Sequence, residues 1–186
     1  FSPNRLEAAK KAALMFVEQI PRPANIGVIS FSGTSFVKQR LTDDMIKIRN
    51  AITSIQIEAA SGTAIGDAIV SASNLFSEGE RSKVVVLLTD GQSNVGILPE
   101  EAIRYANENH VTVHTIGVAT KKGGEFTGVS IISRLDEETL KKIADSTGGN
   151  YYRAESDEQL SNAFVEIATS TEKKVPVKLS MPLLLA

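Results

Sequence analysis

Residues Val84–Asn94 read VVVLLTDGQSN. The aliphatic run from Val84 to Leu88 shows none of the alternation that marks a half-exposed strand. It predicts a strand covered on both faces, at the centre of a mainly parallel sheet. Asp90-Gly91 ends the run with a turn signal and leaves a carboxylate at the strand's carboxyl end. In open α/β sheets, that edge is where ligands bind.

The flanking sequence extends the same pattern. Asn25–Phe31 (NIGVISF) and Val111–Val118 (VTVHTIGV) predict two more apolar strands. Ser32-Gly33 turns the first of them into SFVKQRL, whose alternation predicts a half-exposed antiparallel edge strand. Helical spacing fills the intervals. Ser2 reads as a cap and Pro3 as a first helical residue, before an apolar face of Leu6, Ala9, Ala13, Phe16, Val17 and Ile20. Asp43 or Asp44 caps a short helix with Met45, Ile48 and Ile52 inward, and Ile65, Ile69 and Ala72 mark another. Pro99-Glu100-Glu101 opens a helix with acids in its first turn. Asp136 caps EETLKKIADS, which ends at Gly148-Gly149. Tyr151-Tyr152 fall on a short strand, one expected inside and one outside. Ser156 and Gln159 form a capping box for a last helix running to about Thr169. Residues 119–130 read as an exposed loop. Strands separated by helices predict a doubly wound α/β fold with helices on both faces.

Composition narrows the function classes. The 186 residues, 42% hydrophobic and 23% charged, match a soluble globular domain. A net charge of −2, with only short basic pairs, gives no electrostatic case for nucleic acid. The absence of cysteine excludes thiolate catalysis and cysteine-ligated metal. His114, alone within a strand, reads as structural.

Ser61–Ile69 (SGTAIGDAI) leads into a helix, and Thr63 can reach the same rim as Asp90. Ser32 and Gly33, beyond the first strand, fall there too, and Ser61, Gly62, Gly91 and Ser93 would shape it. A threonine hydroxyl and an aspartate carboxylate are hard oxygen donors suited to Mg²⁺, Mn²⁺ or Ca²⁺. Two donors do not fill such a sphere, so water, further protein groups or a partner's carboxylate must complete it. From spacing alone, TDG is equally a strand-ending turn and GTAIGD a helix start. Asp67 reads as a first-turn acid facing the helix dipole.

Taken together, NRLEAAKKA (4–12), IGVISFSG (26–33), SGTAIGDAI (61–69), VVVLLTDGQSNVG (84–96), VTVHTIGV (111–118) and ISRLDEETLKKIADSTGGNYYRA (132–154) carry a resemblance. The chain resembles the von Willebrand factor A domain, in particular the bacterial and archaeal membrane-associated branch that includes Bat-type aerotolerance proteins. The resemblance implies a Rossmann-like sheet with a metal-ion-dependent adhesion site at its carboxyl edge, built from a DxSxS motif, a threonine and an aspartate. Thr63 matches the threonine and Asp90 the aspartate. The DxSxS motif is absent from the sequence. The resemblance places it at the end of a first central strand upstream of Asn4-Arg5, before the opening Phe1. The expectation is therefore a domain over 1–172 that lacks that strand, with 173–186 a tail that starts a membrane anchor. In the alternative, the tail VPVKLSMPLLLA fills part of the gap. Pro176 and Pro182 argue against that, since each lacks a ladder donor.

The resulting expectation is a non-enzymatic, membrane-associated module that binds a protein partner's Glu or Asp through a divalent ion, only partly held by this chain. The alternatives are a scaffolding domain without a working ion site and, less favoured, a metal-dependent hydrolase. Neither G-x-S-x-G, a P-loop nor G-x-G-x-x-G occurs.

Overall fold

A computed structural model describes residues 4–56, 62–77, 82–119, 136–174 and 179–185, with 171–174 and 179–185 described by backbone alone. The chain runs α1 (Arg5–Gln19), β1 (Ala24–Phe31), β2 (Ser35–Thr42), α2 (Met45–Thr53), α3 (Ile65–Ser73), β3 (Ser82–Thr89) and α4 (Pro99–Glu108). It continues through β4 (Val111–Val118), α5 (Glu137–Ser146), β5 (Tyr151–Ala154), α6 (Asp157–Lys174) and β6 (Leu179–Leu185). The strands form one sheet in the order β2-β1-β6-β3-β4-β5. Among the described strands only the β1–β2 pair is antiparallel.

Alternation along the covered strands supplies two cores. Val84, Val86 and Leu88 of β3 join Ile26 and Val28 of β1 on the face packed by Phe16 and Val17 (α1), Ile48 and Ile52 (α2) and Phe164 (α6). Val85 and Leu87 join Ile29, Phe31 and Val113 on the other face, under Ile65 and Ile69 (α3), Ala102 (α4) and Leu140 (α5). The unbroken aliphatic run of β3 is thus a double-sided strand, and each face removes a row of branched side chains from water. Tyr151 and Tyr152 follow the same rule. Neither points outward as expected: one packs on each core, because the sheet is covered on both sides even at β5.

Local polar groups set the helix starts. Asp44 accepts from the N–H groups of Ile46 and Lys47, and Asp136 from that of Thr139. Ser156 accepts from Gln159 N–H, while the Gln159 side chain reaches back to Glu155 N–H. The cap of α1 is Asn4, which accepts from Glu7 N–H at 2.9 Å, so the helix opens after the expected Ser2-Pro3, which lie outside the described residues. Gly148 takes a positive φ of 75°, and Gly149 N–H closes onto Ala144 O at 2.8 Å, which ends α5 at the predicted glycine pair.

The strand between β1 and β3 overturns one expectation. That position, expected to belong to a segment missing from the chain, is taken by β6, and the tail stands inside the sheet. Its ladder with β1 runs unbroken from Ala24↔Leu179 to Ser30↔Leu185 and passes Pro182 opposite Gly27. Its ladder with β3 pairs Ser82 and Lys83, then resumes at Val86. The interruption falls opposite Met181 and Pro182, where proline has no N–H to donate. Proline therefore breaks one of the two ladders locally, at a cost smaller than leaving two facing rows of main-chain groups unpaired. Pro176 lies outside the described residues. No helix among the described residues is long and apolar enough to cross a membrane.

Deleting residues 179–186 should remove the shared neighbour of β1 and β3. We expect a loss of stability above about 4 kcal/mol, seen as a collapsed or non-cooperative urea transition. An unchanged midpoint would place the tail outside the sheet in solution.

Candidate functional site

The carboxyl edge of the sheet is assembled from three connections. β3 ends in Thr89, which is fully buried, and its hydroxyl accepts from Gly91 N–H at 3.2 Å. That bond folds the Asp90-Gly91 turn tightly over the end of the strand. The segment before α3 lies against this turn. A Cβ on Gly91 would stand 2.9 Å from the Thr63 hydroxyl oxygen, so the hydroxyl occupies the space that glycine leaves open. Thr63 and Asp90, 27 positions apart, thus meet at one rim through the residue that follows Asp90.

The main chain of Thr63 is fixed from two sides. Its N–H donates to Asn94 Oδ1 at 2.9 Å, and its carbonyl accepts from Asn94 N–H at 3.1 Å. The next residue, Ala64, donates its N–H to the carbonyl of Ser32 at 2.7 Å. Gly62 has a φ of 104°, a conformation that L side chains rarely adopt, and it packs against Asn94 and Val95. Ser32 therefore reaches the rim through its carbonyl. Its hydroxyl is buried and has no hydrogen-bond partner among the described residues, as is true of Ser30 in β1. Gly33 lies in the β1–β2 turn, which Ser32 N–H closes onto Thr34 O at 2.9 Å. Ser93 lies in the 91–98 connection beside Asn94, and Ser61 is outside the described residues.

A second clasp holds α3 to the same connection. Asp67 Oδ2 accepts from Ile97 N–H at 2.8 Å. Gly96, at φ 78°, brings its backbone so close that a Cβ there would overlap the Asp67 carboxylate. A Cβ on Gly66 would lie 2.1 Å from Ile97 O. Asp67 is therefore a clamp between the first turn of α3 and the 91–98 connection, where the sequence suggested only a first-turn acid. Asn94 gave no signal of its own, because asparagine after a turn is common. Its role depends on a contact 31 positions away.

Asp90 is paired with a cation of the chain itself: Arg5, in the first turn of α1, places Nη1 2.8 Å from Asp90 Oδ2. Among the described residues there is no cluster of three or more His, Asp or Glu side chains. His114 is buried, and its Nδ1 accepts from Asn150 N–H at 3.1 Å, away from this edge, as expected of a structural histidine. The chemistry of Thr63 and Asp90, two hard oxygen donors, fits Mg²⁺, Mn²⁺ or Ca²⁺, and the Thr63 hydroxyl fills the space beside the Gly91 backbone. Their number requires water or a partner for the rest of the coordination sphere.

Comparison with known proteins identifies the family. A family model for the von Willebrand factor type A domain matches residues 1–166. The chain is 31% identical over 180 residues to a UPF0353 protein of Mycolicibacterium gilvum, covering 89% of this chain and 54% of that protein. It thus spans about half the length of such relatives. The conserved hypothetical protein BatB from Bacteroides thetaiotaomicron superposes with a TM-score of 0.77 at 28% identity, covering 92% of this chain and 90% of that one. An aerotolerance-related membrane protein from Bacteroides fragilis gives a TM-score of 0.74 at 25% identity over 91% of this chain and 90% of that one. Proximal thread matrix protein 1 from the mussel byssus, with a zinc-occupied MIDAS motif, gives 0.71 at 26% identity over 91% of this chain and 41% of its own. With a match that runs through the clamped rim as well as both cores, the chain belongs to the von Willebrand factor type A domain family.

Proposed function

We propose that this domain is a protein-interaction module whose carboxyl rim binds a partner's Glu or Asp through a divalent cation held by Thr63 and Asp90. The observation that carries the reading is the placement of the Thr63 hydroxyl against the Gly91 backbone, next to Asp90, on a main chain clamped by Asn94. A bound cation would supply an open coordination position, which attracts a carboxylate strongly and directionally. The chain's own work is to hold two oxygen donors in fixed relation, so that little ordering remains at the moment of binding. Gly91 packs on Thr63 and Gly62 on Asn94, and Ser32, Gly33, Ser61 and Ser93 are proposed to complete the border. Val95 and Leu98, 40% and 61% exposed, give the same connection an apolar fringe suited to a protein partner. The zinc-occupied motif of the mussel relative supports the use of a divalent ion in the family. A membrane-associated location is proposed from the membrane protein of Bacteroides fragilis among its structural neighbours.

A second reading, a scaffolding domain without a working ion site, is favoured by the Arg5–Asp90 pair. Thermal unfolding with Mg²⁺ and Mn²⁺ separates the two, because an ion bound only by the folded state must stabilise it. At about ten times the dissociation constant, the expected gain is about 1.4 kcal/mol, or roughly 3–6 °C for a chain of this length. Thr63→Ala and Asp90→Asn should each abolish the shift while leaving the far-UV spectrum unchanged. No shift in the wild-type protein with either ion would favour the scaffold.

The clamps make a separate prediction. Asn94→Ala and Asp67→Ala remove no proposed ligand, yet each frees a connection that positions one. Each should lower stability by about 1–3 kcal/mol, since a backbone donor loses its acceptor. Each should also weaken ion binding by more than the surface control Lys11→Gln does, as read by isothermal titration.

A further inference from the structure

The ion pair at the rim joins a residue proposed to hold a cation to a cation that the chain already provides. Arg5 Nη1 lies 2.8 Å from Asp90 Oδ2, with the two side chains 47% and 36% exposed. Arg5 is the first residue of α1, directly after the Asn4 cap, so the helix carries its guanidinium to the end of β3. The rest of α1 is anchored through Ala9, Ala12, Ala13, Phe16 and Val17 in the core. The helix is therefore fixed, while the Arg5 side chain keeps several rotatable bonds and is half-exposed. Fixed helix and mobile head together give a guanidinium that can leave Asp90 without unfolding anything.

We infer that Arg5 competes with the divalent cation for the Asp90 carboxylate and so sets the affinity of the rim for the ion. This rests on the functional reading above. A guanidinium and a divalent ion cannot share one carboxylate edge without repulsion, so ion binding must break the pair or bear an adjacent positive charge. Exposed ion pairs are weak, which keeps the competition reversible. The displaced guanidinium stays beside the rim, tethered through Arg5 to α1, where it is suited to pair with an incoming carboxylate in a bidentate manner. Arg5 is thus a brake on ion binding by the isolated domain, and a carboxylate partner relieves the brake by giving the arginine a new anion.

The test is isothermal titration of the wild-type domain, Arg5→Gln, Arg5→Lys and the same-helix charge control Lys11→Gln with MnCl₂ and MgCl₂, at low and high KCl. Arg5→Gln should bind the ion roughly five- to twenty-fold more tightly than wild type, from loss of the pair and of the nearby charge. Arg5→Lys should fall between the two, Lys11→Gln should stay within about twofold of wild type, and the Arg5→Gln advantage should shrink at high KCl. Adding a short peptide with a central Glu should tighten ion binding by wild type more than by Arg5→Gln. If wild type and Arg5→Gln bind the ion equally, Arg5 is only a tether between α1 and β3, and the inference fails while the ion site stands. If neither binds any ion, the functional reading itself fails, and this inference with it. Chemical denaturation of each variant separates a lost fold from a lost site.

Discussion

β1 and β3 each carry apolar side chains toward both faces of the sheet, and both are committed to the same two cores. They are not neighbours. The structure depends on some segment lying between them, because two facing rows of main-chain donors and acceptors must otherwise go unmet beneath helices that exclude water. Residues 179–185 meet that demand in parallel register with both strands. The requirement is topological more than chemical. It explains why a segment with a proline at its centre is accepted, at the cost of a gap in one ladder beside Val84 and Val85.

The rim inherits its geometry from that sheet. Because β3 is held at its flanks, its end is a fixed point, and the buried Thr89 hydroxyl folds the Asp90-Gly91 turn against it. The approach of α3 is set by Asn94 on one side and Asp67 on the other, each joining residues about 30 apart. Glycine is needed at Gly62 for its positive φ and at Gly66 because Ile97 O leaves no room for a Cβ. Thr63 is thereby positioned by main-chain contacts, so its hydroxyl is not consumed in holding the fold. This division leaves one donor available for binding while other residues do the positioning.

Much of this architecture was legible in the sequence, for identifiable reasons. The run from Val84 to Leu88 declared a double-sided strand through the absence of alternation, and the polar content of β2 agrees with its edge position, where no residue is fully buried. Thr63 and Asp90 were legible as a pair because one lies just before a helix and the other just after a covered strand. The clamps were not. A hydrogen bond from Asn94 to Thr63, or from Ile97 to Asp67, leaves no local mark, since asparagine and aspartate near glycine also serve ordinary turns. The place of β6 was not legible because a proline in the sequence speaks only for its own segment. The missing donor affects one bond, whereas the need for a partner affects two whole strand edges.

Arg5 shows the same limit from the electrostatic side. In sequence it is an arginine near the start of an amphipathic helix, with nothing to separate it from a solvated surface charge. Its meaning comes from the docking of α1, which carries the first turn to the carboxyl edge of β3. A part-exposed carboxylate at that edge gains a modest Coulomb energy from a neighbouring cation. The structure balances Asp90 with a cation that is covalently part of the chain, half-exposed and easily displaced. On the proposed reading, a bound ion would compete with that side chain for the carboxylate. The energy of the existing pair is small on the scale of the fold, since exposed pairs contribute only about 0–1 kcal/mol. A rim so arranged can change its ligation without disturbing the two cores beneath it.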